Sequence, residues 1–526
     1  MATVDADASA HDAEATPNEP STGAHDRLER LRRELQHRLP ILAVVLIGIV
    51  FYGLLTRGSF ITGRRVGFNV VYDAQARSIL HGHLDIPQAA ATGEAIIIGG
   101  RSYAYYGIVP AVLRLPAMLV YPHGSPNVAP WYCMLAYALE AAAAVGIARW
   151  ARRRAPHASR WAYLWEIAFV VAVAGSASLQ LAVRPFVYEE AILWGAAFAL
   201  ATFWALLRLH ESDQPRFAIL AALAGVGAFG SRTTIGIGCV AALVAFGGIL
   251  WQRSRRVSAT LLGGAVAAVT SFVIVNELRF HTLFSVPLKD HEQYRTAAKR
   301  ALLRTGPVAL HNVPTNLVQY IRPDTLHFQR SFPWVDFRMP RYTPIAIIGH
   351  PRFDGLFASA STTATMPLLV VLAVVGVVFA WRCYRPGLAL IASGVIMAAP
   401  TIGYFGEIER YLTDFVPLLT IAGAIGLSAL LIRRGRDTAW LALVALVVAA
   451  VSLFVNFALT LDAQRVFNGP PSILGGALPI TPPQPANRFL LAACLLLTAS
   501  WVLLVWWVRP RSKPAGSPRT GGLASA

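Results

Sequence analysis

The chain has 526 residues, of which 55% are hydrophobic and 14% charged, with a mean hydropathy of +0.51. Such a composition excludes an ordinary soluble domain and describes a protein of the membrane. The formal net charge is +18, yet no basic segment is interleaved with stacking aromatics, which excludes a nucleic-acid partner too.

Residues 1–38 begin with an Ala-, Asp-, Glu-, Thr- and Pro-rich stretch that has few large apolar side chains, and read as a disordered cytosolic tail. No signal peptide precedes the first apolar run, so that run is expected to be the retained targeting element. From there to residue 508 the chain reads as an all-α polytopic membrane domain. About twelve apolar stretches approach or reach the ~17–25 residues needed to cross a bilayer. They are 40–55, 131–150, 161–181, 186–207, 217–229, 234–251, 260–275, 366–381, 387–404, 415–432, 440–459 and 489–508. Residues 509–526 form a second solvated tail.

Short cytoplasmic loops should hold the Lys and Arg. With the N-terminus inside, each inside segment is basic: Arg30 to Arg38, Arg149 to Arg160, Arg208 and Arg216, Arg253 to Arg256, Arg382 and Arg385, Arg433 to Arg436, and the tail from Arg509. The short outside turns hold one arginine each, Arg184, Arg232 and Arg410. Both termini are therefore expected in the cytoplasm of a plasma-membrane protein. Three large outer segments remain, 56–130, 276–365 and 460–488, and connections of that size suggest work done at the outer face. Cys133, Cys239, Cys383 and Cys494 have no Cys-x-x-Cys or Cys/His spacing, so neither disulfides nor structural zinc are expected.

The outer segments carry the polar chemistry. Asp73 lies in Phe68-Asn-Val-Val-Tyr-Asp-Ala-Gln-Ala-Arg77, just beyond the first span, where a short amphipathic helix over 70–80 would put Asp73 and Arg77 four apart on one face. A carboxylate at the mouth of a membrane bundle suits a base acting on lipid-linked substrates. The plainer reading is an interfacial helix marking the headgroup level. Further along stand Arg101-Ser-Tyr-Ala-Tyr105-Tyr106-Gly107 and Pro110-Ala-Val-Leu-Arg-Leu-Pro116. At the outer end of the fourth span, Glu189 and Glu190 lead into an apolar helix, which is costly unless they face a cavity, a cation or donors. Alternatively both stay in water at a helix N-terminus. Arg410 and Tyr411, in Glu407-Ile-Glu-Arg-Tyr-Leu-Thr-Asp414, could hold a phosphate by a fork and a hydroxyl; the competing reading pairs Arg410 with Glu407 or Asp414 as a cap. Arg232 is a similar outer arginine. Gly225-Val-Gly-Ala-Phe-Gly230 lies at the end of a span and reads as helix packing, not a nucleotide loop.

This order of elements resembles the multi-spanning GT-C glycosyltransferases, which take sugars from polyprenyl-phosphate donors at the outer face. Among them are the dolichyl-phosphate-mannose protein mannosyltransferases and the aminoarabinose lipid A transferases. Their catalytic Asp beyond the first span falls on Asp73 in Val71-Tyr-Asp-Ala-Gln-Ala, and their aromatic, proline-rich juxtamembrane segment is similar to Tyr105-Tyr-Gly-Ile-Val-Pro110 and on to Pro116. Asn276-Glu-Leu-Arg279-Phe280 with Tyr294, Pro314-Thr-Asn-Leu-Val-Gln-Tyr320, and Arg410-Tyr411 with Asp414 and Pro417 are weaker matches. Asp73 has no second acid beside it, in which it is more like the actinobacterial arabinofuranosyl- and mannosyltransferases of the cell envelope.

The resemblance implies a fold with outer-loop juxtamembrane helices and an inverting displacement at the anomeric carbon. Asp73 would accept the proton of an acceptor hydroxyl on a glycan, lipid or protein. Arg410, Arg232 and Arg184 would meet the departing lipid phosphate, with Arg101 or Arg279 as substitutes and Glu189, Glu190, Tyr105, Tyr106 and Tyr411 lining the site. The sequence establishes no cofactor; Asp73 and Glu189 or Glu190 could share a divalent cation with a phosphate oxygen. The rival reading is a transporter or flippase of lipid-linked saccharides, which would place polar breaks at mid-membrane in paired inverted halves. A non-catalytic scaffold for envelope assembly is the third, and it would tolerate loss of Asp73.

Overall fold

The computed structural model describes Ile47 and residues 70–467, apart from 92, 122–127, 155–159, 305, 331–332, 338–343, 357–358 and 435–438. These residues belong to one compact unit, Pro40–Leu496. The expected spans 40–55 and 489–508, both tails and most of the segment 460–488 lie outside the described residues.

The first outer segment folds as α1 (Val71–Leu80), α2 (Gln88–Ala91), an antiparallel hairpin of β1 (Ala95–Ile98) and β2 (Arg101–Ala104), then α3 (Val109–Leu113) and α4 (Leu115–Val120). Gly99 and Gly100 turn the hairpin with φ of 58° and 77°, the left-handed pair that a two-residue connection favours. Pro110 and Pro116 each enter a helix in its first turn, where a missing N–H costs nothing.

The bundle follows: α5 (Ala129–Arg153), α6 (Arg160–Ala174), α7 (Ser178–Val183), α8 (Val187–Ser212), α9 (Pro215–Ser231), α10 (Thr233–Leu250) and α11 (Arg255–Phe280). The second outer segment comprises α12 (Ala297–Leu303), α13 (Val313–Ile321), β3 (Leu326–Phe328), β4 (Val335–Phe337), β5 (Gly355–Leu356), α14 (Thr362–Thr365) and three single 3₁₀ turns. Then come α15 (Pro367–Cys383), α16 (Arg385–Ile402), β6 (Gly406–Glu407), a 3₁₀ segment Glu409–Phe415 running directly into α17 (Val416–Arg434), and α18 (Ala439–Phe467).

Seven helices among the described residues are long and apolar enough to cross a membrane: α5, α8, α10, α11, α16, the Glu409–Ile432 stretch and α18. Three shorter apolar helices, Ala162–Ala174, α9 and α15, coincide with three further expected spans. The run expected as one span over 161–181 is broken. Its helix stops at Ala174, whose carbonyl accepts the Tyr137 hydroxyl at 2.6 Å, and restarts at Ser178. The Ser178 hydroxyl donates to the buried Glu140 carboxyl at 2.7 Å, a bond that satisfies a polar group the lipid could not. Other boundaries also move: α11 continues to Phe280 and α18 to Phe467, so residues 276–280 and 460–467 are helical, not loop.

The helix pairs that pack most extensively are α8 with α5 and α9, α9 with α11, α10 with α16, α15 with α17, and α18 with α6. The two outer segments close over one end of this bundle as a single layer. Gln88 donates to Glu292 at 2.7 Å, Ile96 bridges to His291, β5 pairs with β6, and Asn316 donates to the carbonyls of Ile402 and Tyr404 at 2.8 and 2.7 Å. The opposite end carries the arginines expected inside, with Arg149 3.2 Å from Glu166 and Arg208 2.9 Å from Glu211.

Candidate functional site

Chemistry concentrates where the outer layer meets the bundle. α1 forms where its polar-aromatic sequence placed it, and its buried face presents Tyr72, Asp73 and Ala76. Asp73 Oδ1 receives Arg114 Nη1 at 2.7 Å, and Arg114 Nη2 reaches Glu190 Oε2 at 2.5 Å. The Arg114 side chain is 0% exposed, so this is a fully enclosed carboxylate–guanidinium–carboxylate bridge joining the first outer segment to the start of α8. Such charges are tolerable only when paired at this quality. Burial opposes the charge of Arg114, and Glu190 and Asp73 more than offset it, so its pKa is raised. Tyr72 and Tyr132 flank the guanidinium at 5.4 and 5.3 Å.

Adjacent residues on a helix point in different directions, and Glu189 and Glu190 therefore divide between two tasks. Glu190 faces Arg114; Glu189 lies between Arg184, at 3.7 Å, and Arg410, at 3.8 Å. Two guanidiniums on one carboxylate leave a net positive locus that is itself only half-buried. Burial lowers the Arg184 pKa, with Glu189 acting against the shift. Arg410 lies 4.2 Å above the Tyr188 ring and 5.5 Å from Tyr411. The expected capping pair of Arg410 with Asp414 is not what forms: Asp414 takes Arg232 at 2.9 Å and the Thr401 hydroxyl at 2.7 Å. Arg232 in turn sits 5.3 Å from the Tyr411 ring.

From Arg410 an aromatic wall extends across the site. Tyr188 meets Tyr106 edge-on at 5.2 Å, Tyr106 lies 4.2 Å from Tyr105, and Tyr404 meets Tyr411 at 5.4 Å. Burial, reinforced by neighbouring tyrosines and Glu94, pushes the Tyr105 and Tyr106 hydroxyls well above the ordinary phenol range, so they remain donors at any working pH. Beyond the wall lies Glu94, reached by Tyr105, Tyr106, His291 and Gln293.

Of the residues singled out from sequence, Asp73, Glu189, Glu190, Tyr105, Tyr106, Arg184, Arg232, Arg410 and Tyr411 come together here. Two do not act as expected. Arg101 stands at the tip of the hairpin, 67% exposed and 3.9 Å from Asp85, because its place beside the Gly99-Gly100 turn carries it out into solvent. Arg279 is buried at the end of α11 and donates to the Ala104 and Tyr106 carbonyls at 3.3 and 2.9 Å, so it holds the aromatic segment in place and does not face the site. Gly107 completes that seat: a Cβ there would lie 2.3 Å from the carbonyl oxygens of both Gly230 and Ser231.

Arg114, Glu94, His291 and Tyr188 belong to the site and were not singled out. Arg114 did carry a signal, a lone charge inside Val112-Leu-Arg-Leu-Pro116 at the membrane edge. It also occupies the position where a cation would have joined Asp73 to Glu190. Among the described residues no group of three or more His, Cys, Asp or Glu is placed to hold a metal ion. The two carboxylates and the guanidinium between them fit an internal ion bridge, not a cation site.

No family model matches the sequence, and no curated protein does. Among solved structures the chain is similar to the archaeal oligosaccharyltransferase AglB from Archaeoglobus fulgidus in complex with an inhibitory peptide and a dolichol-phosphate, with a TM-score of 0.43 and 12% identity over 91% of this chain and 56% of that one. It is also similar to the oligosaccharyltransferase of the same organism in its apo form, with a TM-score of 0.42 and 12% identity over 82% of this chain and 58% of that one. The chain thus spans less than two thirds of the length of either.

Proposed function

We propose that this protein is a membrane glycosyltransferase of GT-C type that moves a sugar from a polyprenyl-phosphate donor to a glycan, lipid or protein acceptor at the outer face. The observation that carries the reading is convergence. Asp73, the Glu189–Glu190 pair and Arg410 come from three distant parts of the chain and meet at one end of the bundle, beneath the outer segments. A transporter or flippase would instead need polar groups along the path to the other end. Among the described residues the ion pairs lie at the two ends of the bundle, and the mid-membrane Glu140 is hydrogen-bonded to Ser178.

In the reaction, the acceptor oxygen forms its bond to the anomeric carbon as the bond from that carbon to the phosphate oxygen breaks, with inversion. The acceptor proton passes to the Asp73 carboxylate. The lipid leaves as a phosphomonoester, and its growing charge is met by Arg410 and Arg184, which are positioned before the reaction begins. Arg114 orients Asp73, and Tyr188 and Tyr411 fix Arg410.

The test is transfer from a polyprenyl-phosphate sugar in reconstituted membranes. Asp73→Asn should lower the rate by about 10²–10⁴-fold, the range for loss of a positioned base. The variant should stay folded, since Glu190 remains as the counter-ion of Arg114. Undiminished transfer would remove Asp73 as the base.

A further inference from the structure

Glu94 is buried between α2 and β1, and the chemistry above makes no use of its carboxylate. Its Oε2 lies 3.5 Å from the Tyr105 hydroxyl, 3.5 Å from the Tyr106 hydroxyl and 3.4 Å from His291 Nε2. Gln293 donates to Oε1, and the Tyr188 hydroxyl is also within hydrogen-bonding reach. A carboxylate offers about four lone-pair positions, fewer than the donors gathered here. The hydroxyl contacts exceed the ~2.5–3.0 Å of a formed O–H···O bond. His291 Nε2 is buried and makes no aligned hydrogen bond at all. A purely structural hub would draw such donors in. The Tyr105 and Tyr106 hydroxyls and His291 Nε2 stand back at 3.4–3.5 Å from a carboxylate that can itself accept from a hydroxyl.

The position of this cluster bears on its role. Tyr188 separates it from the phosphate-binding end: Arg410 covers one side of that ring at 4.2 Å, and Tyr106, whose hydroxyl stands 3.5 Å from Glu94, meets it edge-on at 5.2 Å. Arg410, Tyr105 and Tyr188 are half-buried, and the Glu94 carboxylate beneath them is buried. Aromatic faces suit the C–H side of a sugar and convergent polar groups suit its hydroxyls. We infer that Glu94, with Tyr105, Tyr106, Tyr188, His291 and Gln293, forms the subsite that recognises the hydroxyls of the donor sugar and sets which sugar is accepted. The inference rests on the transferase reading and deepens it. The subsite is complete only when the outer segments meet, because His291 and Gln293 come from the second and the other elements from the first and from α8.

The experiment measures dissociation constants of the full-length detergent-solubilised protein for three probes: bare polyprenyl phosphate, polyprenyl-phosphate mannose and polyprenyl-phosphate arabinose. The wild type should bind at least one sugar-bearing lipid about tenfold or more tightly than the bare lipid, as for a hydroxyl bonded to a charged group. Glu94→Gln should bring that preference close to one while leaving affinity for the bare lipid unchanged. Tyr188→Phe, which keeps the ring beneath Arg410 and carries the test if Glu94→Gln does not fold, should reduce the preference about fivefold. Equal losses on all three lipids would assign Glu94 a structural role and overturn the inference, as would an unaltered preference. A wild type that binds bare lipid without preferring either sugar overturns the subsite alone. One that binds none of the three overturns the transferase reading along with it.

Discussion

Arg114 is the residue on which the site depends most. It is enclosed on all sides, and two carboxylates from different parts of the chain reach it at 2.7 and 2.5 Å. Removing one partner of a buried ion pair costs about 3–5 kcal/mol, because the remaining charge stays buried. Arg114→Leu leaves two such charges, so its thermal unfolding midpoint in detergent should fall by more than that of Asp73→Asn, which leaves one good pair intact. An unchanged midpoint in Arg114→Leu would mean that the bridge does not form. Arg410 is a different case, half-buried over Tyr188 with only long contacts to Glu189. Arg410→Ala should weaken binding of polyprenyl phosphate by tenfold or more, as expected for a lost charge-assisted bond, with little change in stability. Normal affinity in that variant would count against its phosphate role.

At the scale of elements, the seat of the aromatic segment against the α9–α10 turn is the joint that aligns the wall. Gly107→Ala would put a methyl 2.3 Å from two backbone carbonyl oxygens, which must move. We expect a loss of about 1–3 kcal/mol, as for overpacking, together with impaired transfer. Gly248→Ala meets nothing within 4 Å in a helix interior and should be neutral or slightly stabilising by the same unfolding measurement. The helices themselves were legible in the sequence because uninterrupted apolar length is a strong signal, and α1 because its charges recur at helical spacing. The break after Ala174 was not, since Gly175-Ser176 inside an apolar run reads as ordinary membrane helix until Glu140 is seen opposite Ser178. Asp73, Glu189, Glu190 and Arg410 stood out as charges at apolar boundaries. Glu94 and His291 lie in polar loops where charge is unremarkable, and they are brought together by the bridge from Ile96 to His291 and by Gln88 donating to Glu292.

For the whole molecule, the account requires the site-bearing end to face outward and the arginine-rich end to face the cytosol. Cys383 is an exposed thiol at the arginine-rich end, beside Arg382, and serves as an internal reporter. In intact cells it should resist a membrane-impermeant maleimide until the membrane is opened, whereas a cysteine placed by Arg101→Cys at the hairpin tip in a Cys383→Ser background should react at once. The reverse pattern would invert the topology. The most direct measurement of the central claim is a structure of the protein with a polyprenyl-phosphate sugar bound. The phosphate should lie within about 3 Å of the Arg410 guanidinium, with the anomeric carbon turned toward Asp73. A lipid phosphate seated instead at the Arg149–Arg153 end, or a sugar directed away from Asp73 and the tyrosine wall, would contradict it.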